Sequence, residues 1–278
     1  MNKSINKKSV LITGCSSGIG LDSAQYLTQK GFHVIASVRQ EKDIEILTSK
    51  NIECIQLDLN ETASIDKAVD YINQNHPDLY GLVNNGAYGQ GGAVEDLSRQ
   101  ALREQFETNV FGTHELTQKI VPLFHKNNIG RIVQISSVLG FIALPMRGAY
   151  NASKFALEGL TDTQRLELSE TNIKVSLIQP GPIETKFRAN SLKYFLKHVD
   201  PESSRYKEQY LAMEKRLNSK SPAKFTEPAQ RVSEDILHAL ISDKPKIRYR
   251  ITTPTIVGAK LKRFLTDRMM DKVSTKKG

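Results

Sequence analysis

The sequence predicts an α/β fold, a doubly wound parallel sheet of about seven strands flanked by helices. Three observations lead to this prediction. Short apolar runs typical of buried strands alternate with longer runs that carry apolar residues at helical spacing. The first strand leads through a glycine-rich turn directly into a helix. Right-handed strand–helix–strand connections then return such alternating elements to a single sheet.

Length and composition fit one domain over residues 1–278, which are enough for a single substantial core. The two cysteines, Cys15 and Cys54, suit a reducing compartment. The histidines are scattered singly, which gives no metal-ligand spacing and predicts no metal site. Residues 1–8 are polar and no apolar run is long enough to span a membrane, so we expect a cytoplasmic protein.

Positive charge is concentrated at the carboxyl end of the chain. The net charge is +9, and residues Lys244 to Gly278 hold eleven Lys or Arg against two Asp. The rest of the chain is therefore balanced in charge. No nucleic-acid-binding motif accompanies the basic tail, so we expect no nucleic acid partner.

The first strand, turn and helix predict a phosphate site. Residues 9–14 are apolar, and the turn TGCSSGIG places Gly14, Gly18 and Gly20 where the backbone can approach a pyrophosphate. The pyrophosphate would rest on the N-terminus of the helix. A purely structural turn is the alternative.

Arg39 follows the second predicted strand, residues 32–38. An NAD site usually holds Asp or Glu at this position to bind the ribose 2′-hydroxyl. An arginine suits the 2′-phosphate of NADP instead, with the Ser17 hydroxyl as a second donor. We therefore expect NADP(H) to be favoured over NAD(H). The alternative is an arginine that is simply solvated.

The middle of the chain supplies further strands and two helices. The third strand, residues 52–59, ends beside Asp58, which alternatively caps the helix that follows over residues 63–75. The stretch LYGLVNNGAYGQGG then gives the fourth strand and a glycine-rich loop. A long helix is predicted over residues 99–124. Its Asn109 is unfavourable in mid-helix, which indicates a role, although an amide that caps groups in the core is the alternative.

The segment SSVLGFIALPMRGAYNASK, residues 136–154, carries the chemistry. Tyr150 and Lys154 are four residues apart at the start of a predicted helix, so both lie on one face. A neighbouring ammonium lowers the pKa of a phenol, which makes Tyr150 usable in acid–base chemistry. Ser137 follows an apolar strand, residues 131–135, and ligands of open parallel sheets bind at such strand ends. An ordinary amphipathic helix with Lys154 in solvent is the alternative.

These motifs together resemble the short-chain dehydrogenase/reductase family, whose Rossmann-like fold carries TGxxxGxG and, after a serine, YxxxK. The resemblance covers residues 9–185 and includes ETNVFG, PGPIET after the sixth strand (residues 173–179), and NNGA where the family usually has NNAG. Phrases such as TGCSSGIG, ASVR and YNASKFALEGL are similar to the 17β-hydroxysteroid and retinol dehydrogenase branch and its bacterial relatives.

The resemblance implies roles for individual residues. Asn109, Ser137, Tyr150 and Lys154 would be catalytic, with Asn109 holding a water that links the lysine to solvent. Asp58 would bind the adenine amino group. The cofactor-binding residues would be Gly14, Ser16, Ser17, Gly18, Ile19, Gly20, Arg39, Asp58, Leu59, Asn85, Gly86, Tyr150, Lys154, Pro180, Gly181, Ile183 and Thr185.

Beyond Thr185 the predicted elements follow in three groups. Residues 186–227 are expected to form two amphipathic helices that cover the substrate site. Their apolar face either lines a pocket or belongs to the core, and it holds Phe187, Leu192, Phe195 and Leu196. Residues 228–253 give a last helix and an edge strand. Residues 254–278 predict a basic amphipathic helix, which contacts an anionic membrane or packs on the domain or a second subunit.

The sequence therefore predicts an NADP(H)-dependent oxidoreductase that transfers a hydride between nicotinamide and a carbonyl or hydroxyl group. The expected substrate is a hydrophobic aldehyde, ketone, steroid-like or retinoid-like compound. A non-catalytic NAD(P)-sensing protein of the same fold and an epimerase or dehydratase acting on nucleotide sugars are the alternatives. Family members often pair through the tyrosine-bearing helix, so the resemblance implies a homodimer or homotetramer.

Overall fold

A computed structural model describes residues 8–219 and 221–275. The predictions for residues 1–7 and for the last three residues of the tail lie outside this described part. Seven strands form one parallel sheet, and their bounds are β1 Ser9–Ile12, β2 His33–Val38, β3 Glu53–Gln56, β4 Gly81–Asn84, β5 Gly130–Ile135, β6 Ile173–Pro180 and β7 Arg248–Ile251. The strand order is β3-β2-β1-β4-β5-β6-β7, with β7 at an edge as predicted.

Helices cover both faces of this sheet, which confirms the predicted doubly wound architecture. Their bounds are α1 Gly18–Gln29, α2 Glu45–Thr48, α3 Thr62–Asn75, α4 Arg99–Phe106, α5 Thr113–Lys126, α6 Gly148–Glu167, α7 Phe187–His198, α8 Lys207–Asn218, α9 Gln230–Ile241, α10 Thr253–Phe264 and α11 Asp267–Thr275. In the part of the chain described, every helix is too short or too polar to cross a bilayer.

Apolar side chains of the strands point alternately to the two faces of the sheet and form an apolar layer on each face. Val10 and Ile12 of β1 belong to the layer that holds α1 and α9, whereas Leu11 between them belongs to the layer that holds α3 and α5. Successive side chains of a strand point to opposite faces, so a strand buried on both sides reads as a continuous apolar run. The sheet therefore needs helices on each face.

The predicted long helix over residues 99–124 is divided by a wider turn. Residues Glu107–Gly112 are π-helical and join α4 to α5. This segment brings Gly112 against β3's following loop, where a Cβ on Gly112 would lie 1.7 Å from the Leu59 carbonyl oxygen. Such a π-helical turn often marks a functional site.

The predicted basic helix of the tail is present as two helices rather than one. Leu265 has extended backbone angles, with φ −91° and ψ 146°, and ends α10. The Thr266 carbonyl then accepts from the backbone amides of Met269 and Met270 at the start of α11. Threonine before an acidic first turn favours a new helix start, and this local signal interrupts the apolar periodicity.

The strand order reverses between β1 and β4, because β2 and β3 continue on one side of β1 and β4 to β7 on the other. Ligands of such sheets bind outside the carboxyl ends of the strands at this reversal. The structure has a cleft of about 650 Å³ there.

Candidate active site

The floor of the cleft is the glycine-rich turn between β1 and α1. Gly14 and Gly18 have φ of +72° and +60°, in the left-handed region that favours glycine. A Cβ on Gly14 would lie 2.8 Å from the Gly86 Cα, and one on Gly20 would lie 2.3 Å from the Gly14 carbonyl oxygen. These contacts leave no room for side chains, so the backbone itself forms the surface.

The N-terminus of α1 opens on this floor. Ser17 is the N-cap residue, and its side chain makes no capping hydrogen bond to the first turn. Ser16, Ser17 and Ile19 line the cleft. The first amides of a helix lack intrahelical partners and favour anions, so this turn fits the pyrophosphate of a dinucleotide.

Asn85 fastens the glycine turn in place. Its Nδ2 donates to the carbonyl oxygens of Thr13 at 2.9 Å and Gly14 at 3.1 Å. The Thr13 hydroxyl oxygen in turn accepts from the backbone amides of Asn85 at 2.9 Å and Gly86 at 2.8 Å. The sequence motifs predict Asn85 as a cofactor-binding residue but give no signal for Thr13, whose contacts join residues far apart in the chain.

The order NNGA in this loop still allows its backbone to pack closely against Leu59 and Thr13. A Cβ on Gly86 would lie 3.0 Å from the Leu59 Cδ1 and 3.3 Å from the Thr13 hydroxyl oxygen. The loop therefore needs a small residue at position 86, and here it is the glycine.

Arg39 and Asp58 lie at the outer end of the cleft. The Arg39 Nη1 donates to the Tyr194 hydroxyl at 3.0 Å, and the Tyr194 ring stacks on Tyr88 with centroids 3.8 Å apart. The Asp58 Oδ1 accepts from the Asn60 amide at 3.0 Å. Asp58 thus closes a turn ahead of α3 instead of capping the helix, whose N-cap residue is Glu61.

Tyr150 lies at the inner end of the cleft with only 8% of its surface exposed. Burial raises the pKa of its phenol to about 12, and hydrogen bonding by Ser137 and the charge of Arg147 only partly oppose this rise. We expected Lys154 to lower this pKa. Desolvation outweighs any such effect in the protein by itself.

Lys154 is held one turn further along α6. Its Nζ donates to the Ile135 carbonyl oxygen at 2.7 Å, at the carboxyl end of β5, and lies 5.9 Å from the centroid of the Tyr150 ring. Burial lowers the pKa of this ammonium to about 8, against the opposing charge of Glu158. The side chain is therefore poised to exchange a proton near neutral pH.

Asn109 lies beside the cleft rather than on its surface. Its Oδ1 accepts from the Tyr88 amide at 3.1 Å, and its Nδ2 donates to the Tyr88 carbonyl at 2.9 Å and the Ser153 hydroxyl at 3.2 Å. These bonds match the alternative interpretation, an amide that satisfies buried polar groups. The water-holding role stays a prediction.

Most of the predicted site residues meet at this cleft. Those that line it are Ser16, Ser17, Gly14, Ile19, Arg39, Asp58, Leu59, Asn85, Gly86, Ser137, Tyr150, Lys154, Pro180, Gly181, Ile183 and Thr185. Gly18 and Gly20 lie beneath the surface, where Gly18 packs under the Thr185 side chain and Gly20 under Gly14.

Only part of the predicted apolar face over residues 186–227 reaches the cleft. The Phe187 ring lies 5.4 Å from that of Tyr150, centroid to centroid, and lines the cleft. Phe195 and Leu192 instead pack in a separate apolar cluster formed with α8, and Leu196 is exposed. Three arginines that no sequence motif marks also line the cleft, Arg147, Arg188 and Arg216.

The folded chain brings two histidines together on a distant surface. Single ligand atoms of His33, Glu53 and His76 all lie within 4.8 Å of one another. Each imidazole Nε2 is hydrogen-bonded to one oxygen of the Glu53 carboxylate, at 2.6 Å and 2.8 Å. Linear spacing did not reveal this cluster, and the predicted absence of a metal stays a prediction.

The parallel sheet carries a glycine turn that leads into the α1 N-terminus, and a serine, a tyrosine and a lysine line the same cleft. Together these features define a class of enzyme. The class is the dinucleotide-dependent oxidoreductases. Comparison with known proteins agrees. The family model described as short chain dehydrogenase matches residues 8–194.

Individual relatives extend the match over nearly the whole chain. The uncharacterized oxidoreductase YbbO of Escherichia coli K12 is 42% identical over 270 residues, which cover 97% of this chain and 94% of that protein. Human retinol dehydrogenase 16 is 34% identical, covering 88% and 80% of the two chains. The solved structure of ElxO with NADP bound is 26% identical, with a TM-score of 0.69 over 87% of this chain and 94% of that one.

The chain belongs to the short-chain dehydrogenase/reductase family. It is an oxidoreductase that acts on CH–OH groups with NAD(P), and its relatives include the retinol dehydrogenase branch that the sequence motifs indicated.

Proposed function

We propose that this protein is an NADP(H)-dependent reductase or dehydrogenase that interconverts a carbonyl and a hydroxyl group on a substrate with an apolar body. One observation carries the proposal. Ser137, Tyr150 and Lys154 line the same cleft as the glycine turn, so the acid–base group and the dinucleotide site share one space. A cytoplasmic location and a covering role for residues 186–227 remain predictions.

The residues divide the work of carbonyl reduction among them. A nicotinamide bound in this cleft would supply the hydride to the carbonyl carbon. Tyr150, protonated at neutral pH because its pKa is about 12, gives its proton to the developing alkoxide. The Ser137 hydroxyl donates a hydrogen bond to the same oxygen. Lys154 then returns a proton toward the phenolate, which its ammonium also stabilises.

The preference for NADP rests on Arg39. Its guanidinium stands beyond the end of β2, where a carboxylate would oppose a 2′-phosphate, and it is exposed at the outer end of the cleft. From this position the guanidinium could donate two charge-assisted hydrogen bonds to a phosphate. The related structure of ElxO holds NADP, which agrees with this preference.

The first test replaces the proton donor. Tyr150→Phe is expected to lower turnover of long-chain aldehydes by about a thousandfold, since a positioned general acid contributes about that much. The affinity for NADPH should stay within severalfold of wild type. Tyr26→Phe, a change on α1 outside the cleft, should alter neither quantity. Retained turnover in Tyr150→Phe contradicts the assignment, and tight NADPH binding by a wild-type protein without turnover supports the sensor alternative.

The second test concerns the cofactor preference. Arg39→Ala should weaken NADPH binding about tenfold, corresponding to about 1.4 kcal/mol, and leave NADH binding nearly unchanged. Tyr194→Phe is a matched control, because it removes the hydroxyl that Arg39 contacts and keeps the positive charge. An equal loss of affinity for NADPH and NADH in Arg39→Ala would show that Arg39 does not read the 2′-phosphate.

A further inference from the structure

Three arginines from three helices meet at the inner end of the cleft. Arg147 is the N-cap residue of α6, three positions before Tyr150. Arg188 belongs to α7 and Arg216 to α8, and all three line the same cleft as the Tyr150 phenol. Since the three positions are distant in sequence, the fold alone assembles this group, which we call the arginine cluster.

No carboxylate neutralises the arginine cluster within the described residues. None of its members takes part in an ion pair there, and Arg188 makes one hydrogen bond, from Nη1 to the Ser221 carbonyl oxygen at 2.9 Å. The acidic side chains on the cleft, Asp43 and Asp58, act on Arg39 at its outer end instead. The inner end therefore carries net positive charge.

The cations of the cluster also act on one another. Burial together with the positive charges of Arg216 and Arg188 lowers the pKa of Arg147. Holding like charges close together in a partly desolvated site is unfavourable unless an anion joins them. An anion bound here would relieve the repulsion on Arg147, which is half-buried like Arg188, while Arg216 is exposed at the edge of the site.

Apolar side chains also line the cleft that holds the cluster. Phe187, whose ring lies 5.4 Å from that of Tyr150, is joined there by Leu144 and Leu217. A ligand whose reacting carbon lies at Tyr150 would therefore pass along apolar walls and end against guanidinium groups. A neutral hydrocarbon chain would contact the apolar walls but would leave the guanidinium groups without a partner.

We infer that the substrate is amphiphilic, with an apolar chain that bears the reacting carbonyl and a terminal oxyanion bound by Arg147, Arg188 and Arg216. This inference rests on the proposed function, which places the carbonyl at Tyr150. The paired N–H donors of a guanidinium match two oxygens of a carboxylate, sulfonate or phosphate. The feature that these groups share is an oxyanion with a permanent negative charge at neutral pH. The arginine cluster discriminates against an uncharged aldehyde of the same length.

The decisive comparison uses matched pairs of aldehydes with wild-type protein and NADPH. Succinic and azelaic semialdehydes carry a terminal carboxylate, and butanal and nonanal are neutral counterparts of the same chain lengths. We expect kcat/KM to be at least tenfold higher for the anionic member at one or both lengths, and the preference to shrink as salt screens the charges. Turnover without an anionic preference at either length overturns this inference and leaves the proposed function standing. No turnover of any aldehyde overturns both.

Variants locate the preference on the cluster. Arg216→Gln and Arg188→Gln should each reduce the anionic-to-neutral ratio of kcat/KM about fivefold to tenfold, since one ion pair of this kind contributes about 1–1.4 kcal/mol. Lys215→Gln, next to Arg216 on α8 and outside the cleft, is the matched control and should keep the ratio.

A binding measurement gives a readout that does not depend on turnover. Calorimetric binding of nonanoate to wild type should weaken by the same factor in Arg216→Gln and Arg188→Gln but not in Lys215→Gln. If these two variants instead lose affinity for NADPH and retain the ratio and nonanoate binding, the arginines hold the cofactor and the inference is wrong.

Discussion

Tyr150 and Lys154 show how burial sets the ionisation of both groups at this site. Burial disfavours the charged form of each, so it raises the pKa of the phenol to about 12 and lowers that of the ammonium to about 8. The shift of Lys154 brings its pKa toward neutral pH, whereas the shift of Tyr150 moves its pKa further above neutral pH and keeps the phenol protonated there. The protein holds this arrangement although a buried ammonium is unfavourable for folding.

The buried ammonium makes stability depend on pH in a specific direction. The folded-state pKa of Lys154 is about 8, below its ordinary value of 10.5, so between these values the unfolded chain holds a proton that the folded chain releases. The free energy of unfolding therefore rises with pH in this window, by about 2 kcal/mol from pH 7 to pH 9.5. Below pH 8 Lys154 is charged in the folded protein, so the full unfavourable free energy of burying its ammonium lowers the stability.

Lys154→Met checks this expectation by urea denaturation at both pH values. The variant lacks the titrating group, while every other group is common to both proteins. Its stability relative to wild type should fall by about 2 kcal/mol between pH 7 and pH 9.5. A difference that is independent of pH would mean that the ammonium is not depressed as described.

Sequence reasoning at this scale succeeded where residues were close together in the chain. Ser137, Tyr150 and Lys154 share one segment, where helical spacing pairs the last two and a predicted strand end places the serine. The arginine cluster and the bond from Arg39 to Tyr194 join separate elements, and no local pattern marks such partners.

Among the elements, the π-helical segment between α4 and α5 has the tightest packing requirement. It positions Asn109 against Tyr88 and Ser153 and places Gly112 almost in contact with the backbone at Leu59. Because the opposing atom is a carbonyl oxygen of the main chain, no side-chain rotation can relieve a clash there.

Gly112→Ala should therefore destabilise the protein strongly. The added Cβ would lie 1.7 Å from the Leu59 carbonyl oxygen, and moving backbone by that amount is expected to cost more than about 3 kcal/mol. Gly159→Ala is the matched control, since a Cβ at this α6 position meets no atom of the same chain within 4 Å. It should stabilise the helix by up to about 1 kcal/mol. Urea denaturation of the three proteins gives the comparison, and equal stabilities would contradict the packing argument.

Sequence patterns predicted the strands and most helices because local periodicity and glycine turns determine them. The π-helical turn in the long helix escaped prediction; its Gly112 contacts the loop after β3, a separate element that no local pattern connects to it. Thr266 and Asp267 are a usable sequence signal for the division of the tail into two helices. The prediction of one helix followed the apolar periodicity instead. Element type was thus more predictable than the geometry within an element.

At the scale of the whole molecule, the outer face of α6 is unusually apolar for a helix in solvent. Phe155 and Leu166 are 40% and 61% exposed, and with Gly159 between them they lie on one face of the helix. Lys262 of the tail lies over the Phe155 ring at 5.1 Å, so the described part of the tail covers one end of this face. The rest is available to a second subunit, in line with the pairing that the family resemblance implies.

We therefore expect a homo-oligomer that pairs through α6. Leu166→Lys places a charge in the predicted interface and should shift the protein toward monomer, with at least a tenfold higher dissociation constant, since an unpaired buried charge is strongly unfavourable. Sedimentation velocity over a range of concentrations measures this shift. Leu211→Lys on α8 is the matched control, because Leu211 is similarly exposed at 54% but lies on another helix. If both variants sediment as wild type does, the apolar face of α6 is not the contact, and if both dissociate, the interface includes α8.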